Sequence, residues 1–175
     1  MHTFSELVDR CTAFTLDALS QAEGRLVEDL QTSAATSLVK SLQMVQLQKA
    51  ISAVGMFTMF DAILQDGLCC RDGFLEAKEI LNREGEILLK ERFSVLQLAI
   101  NVLKHGRGRS YDELTAKGPE LPFKIKQPVE FFFCEGDVSE VSTLIKVDDA
   151  FVRNCAQVIS EVSIVINRVR PDFFG

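Results

Sequence analysis

The chain has 175 residues, 47% hydrophobic and 25% charged, a globular mixture that excludes a disordered chain or one built mainly of membrane spans. Nineteen Lys and Arg stand against 25 Asp and Glu, a net charge of −6, which excludes a protein whose whole surface attracts nucleic acid and confines any such function to a local patch. With 13 Phe, one Tyr and no Trp, most of the aromatic content reads as core filler.

Residues 1–7 lack the basic flank and apolar run of a secretory signal, and no stretch reaches the ~18 apolar residues of a membrane span. The expectation is a cytoplasmic protein with no membrane partner. Five cysteines (Cys11, Cys69, Cys70, Cys134 and Cys155) form no CxxC pair and only two His are present, so no metal or other cofactor is expected. The thiols read as reduced and mostly buried.

From the N-terminus, Phe4, Leu7, Val8, Cys11, Ala18, Leu19, Ala22, Leu26 and Leu30 recur at helical spacing and predict one amphipathic helix over 4–30. After the cap-like Thr32-Ser33, a second helical pattern runs over 34–65 through Leu38, Leu42, Val45, Ala53, Met56, Phe57, Phe60, Ile63 and Leu64, and Asp66-Gly67 ends it. A short helix follows around 71–82. A stronger one spans 86–105, with Leu88, Val95, Leu96, Ala99, Val102 and Leu103 as its buried stripe.

Gly106 stops that helix, and residues 106–128, holding three of the four prolines, predict an irregular surface loop. The β-prone runs Val129–Cys134 and Thr143–Val147, separated by Gly136-Asp137, predict a small β-hairpin over 129–147. Asp148 or Asp149 then caps a last helix carrying Phe151, Cys155, Val158, Ile159, Val162, Val165, Ile166 and Val169, and Pro171 ends it. The fold class expected is all-α: a single-domain, up-and-down bundle of four to five long helices over 1–175.

One segment stands apart chemically. Lys104, His105, Arg107 and Arg109 place four cationic or titratable groups within six residues. Residues 101–128 hold six Lys and Arg against three Asp and Glu, a balance of +3, and the rest of the chain carries −9. On the 86–105 helix, Gln97, Asn101, Lys104 and His105 form one polar stripe. In one reading, Lys104 and His105 merely complement the negative helix end, Gly106 terminates it, and the arginines solubilise a loop. In the other, a cationic turn flanked by Gly106 and Gly108 lets backbone and side chains approach a phosphodiester.

Asn101-x-x-Lys104-His105-Gly106, late in a helical-bundle pattern, resembles the HEPN superfamily of all-α proteins of prokaryotic defence and toxin–antitoxin systems. That family's signature is an Arg followed four to six residues later by His, with a polar residue directly after the Arg. Asn101 and His105 match, and the Arg position falls on Ile100. The resemblance implies a metal-independent endoribonuclease working as a homodimer, or an RNA-binding or partner-binding module. It places His105, Asn101 and Lys104 in the catalytic role, and Arg107, Arg109 and Lys104 on the phosphate or RNA.

Self-cleavage of RNA by its 2′-hydroxyl needs only proton transfer and stabilisation of phosphorane charge. With His2 at the terminus, His105 is the one acid–base group expected to act, so cleavage requires two copies of His105 brought together at the 86–109 helix end. The rival reading is a non-catalytic, antitoxin-like helical protein bound to a protein partner from a neighbouring gene.

Overall fold

The computed structural model describes residues 3–33 and 35–173. Its helices are α1 (Phe4–Thr32), α2 (Thr36–Gly67), α3 (Gly73–Arg83), α4 (Ile87–His105), α5 (Arg109–Lys117) and α6 (Asp149–Val169). The protein is an all-α bundle. Local sequence sets several boundaries: Thr3 accepts a hydrogen bond from the Glu6 amide, Asp72 from Leu75 and Asp148 from Phe151, each filling a vacancy at a helix start. Of the two aspartates before α6, Asp148 is therefore the cap. Thr32-Ser33 ends α1 instead of starting α2, whose cap position is Ala35; Ala34, the expected first residue, lies outside the described residues.

Four long helices run up, down, up and down. Phe4 stacks on Phe60, and Glu23 meets Lys49, which sets α1 antiparallel to α2. Arg92 pairs with Glu161 and Glu86 with Arg168, which sets α4 antiparallel to α6. Helices α2 and α6 touch each other and both remaining long helices, whereas α1 and α4 do not touch. Phe57, Phe60, Phe74 and Phe93 form the aromatic centre of the core, and Ile159 and Ile166 of α6 are fully buried beside them. Short α3 closes onto α2 through Gly73, where a Cβ would lie 2.6 Å from that of Leu64.

By length and composition α2 would suffice to cross a membrane, contrary to the expectation that no stretch qualifies. Its Val45, Ala53, Phe57, Phe60 and Leu64 are buried in the bundle core. The burial of α1 is narrower than its apolar spacing suggests: Val8, Thr12 and Leu16 face the core, and Leu7, Cys11 and Ala18 are exposed. No residue of α1 beyond Leu16 and none of α2 before Val45 is fully buried, so these portions form a two-helix arm of half-covered side chains. On α4, Leu89, Phe93, Leu96 and Ile100 fix the helix phase and turn Leu88 outward, 78% exposed.

Two irregular regions depart from expectation. The loop over 106–128 contains α5, whose Tyr111 and Leu114 are buried, and a 3₁₀ turn at Gly118–Glu120. No hairpin forms over 129–147. The amides of Phe133 and Cys134, which a strand ladder would use, donate to the Glu140 carboxylate at 2.9 and 2.7 Å. That carboxylate also faces the buried Lys126 ammonium at 3.5 Å, itself 4.4 Å from the Phe133 ring centroid. Among the described residues, antiparallel pairing is limited to the bridge between Ile125 and Ile145. Nor are the thiols mostly buried: all five are free, and only Cys155 is buried, its pKa raised by desolvation.

Candidate nucleic-acid interface

The cationic segment is the corner between α4 and α5. Gly106 adopts φ +75°, which favours glycine, and its amide donates to the Val102 carbonyl at 2.8 Å, so the helix closes at His105. Two residues later α5 starts at Arg109. Its N-cap is Gly108, which has no side chain to satisfy the first amides, leaving a partial positive charge at the turn.

The predicted residues divide into two groups. Lys104, His105 and Arg109 are exposed, and among the described residues none of them has an ion pair or side-chain hydrogen bond. Asn101 is half-buried one helical turn before His105. Arg107 has a partly structural role: its Nη2 donates to the Pro128 carbonyl at 3.2 Å, and its guanidinium lies 5.2 Å from the Tyr111 ring centroid. The polar stripe on α4 is likewise split, because Gln97 at its far end accepts a hydrogen bond from Lys78 of α3. His2 lies outside the described residues.

Ile100 is 3% exposed and belongs to the hydrophobic core. The position that the resemblance gives to Arg therefore points away from the turn and into the bundle. Among the described residues, no group of three His, Cys, Asp or Glu is placed to hold a metal ion.

Sequence reasoning missed two features here. The first is the anchorage of the turn: the buried Tyr111 hydroxyl donates to the Lys126 carbonyl at 2.7 Å, tying α5 to the strip that also receives Arg107. The second is Phe131, three residues beyond Pro128 and 85% exposed. Its signal was present in the run Phe131-Phe132-Phe133 between Glu130 and Glu135, since three consecutive aromatics cannot all enter one core.

No family model, no curated protein and no solved structure matches the chain.

Proposed function

We propose that the protein binds single-stranded RNA through the α4–α5 corner, as a non-catalytic, HEPN-like module. The observation that carries this reading is the exposure of Lys104, His105 and Arg109 on one corner, free of acidic partners, in a chain of net charge −6. Unpaired cations of this kind gain affinity by displacing counterions from phosphates. The exposed Phe131 ring, on the strip tethered by Arg107, offers a stacking surface for an unpaired base, a combination typical of single-strand recognition.

Binding is favoured over cleavage on chemical grounds. Transesterification needs a proton acceptor, a proton donor and charge stabilisation at the phosphorane, and one corner supplies a single imidazole. With Ile100 in the core, no guanidinium stands directly before Asn101.

Fluorescence anisotropy with a labelled oligouridylate across a salt series tests the reading. Wild-type protein should bind at low salt and lose affinity as salt rises. A Lys104→Ala/Arg109→Ala protein that keeps wild-type affinity at every salt concentration would remove the corner as the site.

A further inference from the structure

Among the described residues, the outer face of the α1–α2 pair has no covering element, and its chemistry is that of an interface. Between Lys40 and Asp61 the sequence of α2 carries one charge, Lys49, which is buried in ion pairs with Glu23 and Asp149. The solvent side of that stretch instead shows Met44, Leu47, Ile51 and Met59, at helical intervals completed by Gly55. Helix α1 adds Leu7, Cys11, Phe14 and Ala18, spaced i, i+4, i+7 and i+11. Depletion of charge with enrichment in Met and Phe distinguishes the centre of an interface from ordinary surface.

The face holds both a projection and a recess. Phe14 is 77% exposed. Beside it, Phe4, Leu7, Cys11, Gly55, Met56 and Met59 line an apolar groove of about 380 Å³ between the two helices. Gly55 leaves the groove open, with no heavy atom within 4 Å of where a Cβ would lie.

We infer that this face is the contact between two copies of the chain, related by a two-fold axis that places Phe14 of each copy in the groove of the other. A two-fold contact must be self-complementary, and a knob and a hole displaced along one face satisfy that requirement reciprocally. The area also agrees. Leu7, Phe14, Met44, Leu47, Ile51 and Met59 are 45–77% exposed. Together they present on the order of 700 Å², near the roughly 800 Å² per partner of a standard-size interface and above the largest patch of a typical monomer.

Sedimentation equilibrium on the full chain, from about 1 to 100 µM, tests the assignment, with Phe14→Glu and Ile51→Glu as variants whose exposed positions leave the fold intact by circular dichroism. Wild-type protein should weigh twice the 19.5 kDa chain mass, and both variants should fall to the chain mass. A wild-type protein of 19.5 kDa throughout the range overturns the dimer. If that monomer then floats with phosphatidylcholine vesicles, the occupant is a lipid surface; if it does not, the face awaits a different protein. A dimer that survives both substitutions also overturns the inference, moving the contact to another face such as the α4–α5 corner.

Discussion

The Tyr111 hydroxyl and the Lys126 backbone carbonyl meet at 2.7 Å inside the protein, joining α5 to a segment with almost no regular structure of its own. Tyr111→Phe keeps the ring under Arg107 and removes only the donor, leaving a buried carbonyl short of a partner. The expected loss is about 1–3 kcal/mol, the usual cost of an unsatisfied buried group. Urea unfolding measures it, and amide exchange should quicken around 124–128.

Ile100→Arg, the substitution that would complete the family's motif, is expected to disable the protein. A guanidinium in place of a 3% exposed core side chain has no partner to compensate its desolvation. The cost belongs with the exceptional losses, above about 4 kcal/mol. Circular dichroism with urea titration should show a partly or wholly unfolded chain. A stable Ile100→Arg protein that cleaves RNA would reverse both this expectation and the binding-only reading.

Removing Phe131 tests the stacking surface separately from the charge. Phe131→Ala should weaken oligouridylate binding by about 1–3 kcal/mol while leaving the slope against salt unchanged. Lys104→Ala/Arg109→Ala should instead lower that slope by about 1 per cation removed. Salt-dependent anisotropy distinguishes the two effects.

Lys49 gives the fold a defined alkaline weakness. Burial pulls its pKa down, but Asp149 at 2.8 Å and Glu23 at 3.1 Å outweigh that and hold it above the ordinary 10.5. With the folded value above the unfolded one, the contribution is complete below pH 10.5 and is lost as pH rises through the raised value. The urea midpoint of the wild type should show a step above pH 10.5 that Lys49→Met lacks.

The helices were legible because their apolar residues recur with the helical period: α6 buries Phe151, Cys155, Val158, Ile159, Val162, Val165 and Ile166, all expected from spacing. Where the same signal misled, a second apolar stripe competed with the first. Leu7 and Cys11 fit the period of α1 as well as Val8 and Thr12 do, and only the packing of α2 and α6 decides which pair turns inward. The hairpin failed for a different reason. Glu140 captures the Phe133 and Cys134 amides, and nothing in the β-propensity of those residues reports an acceptor six or seven positions away. At the corner, the clustered cations could be read from the sequence, but the burial of Ile100 and the tether of Arg107 to Pro128 depend on three-dimensional context.

The arm formed by the later part of α1 and the earlier part of α2 implies that a single helix has two thermodynamic personalities. Amides of α1 between Val8 and Leu16 are guarded by the core and should exchange only when the whole bundle opens. Those beyond it depend on a partner helix just as lightly held, and past the Lys49 pairs with Glu23 and Asp149 and the buried Val45, no fully buried residue of either helix secures the remaining turns. Protection factors along α1 should therefore fall within a few residues, in an uninterrupted helix, and a protease confronting the native protein should make its first cut in the distal turns around the α1–α2 junction.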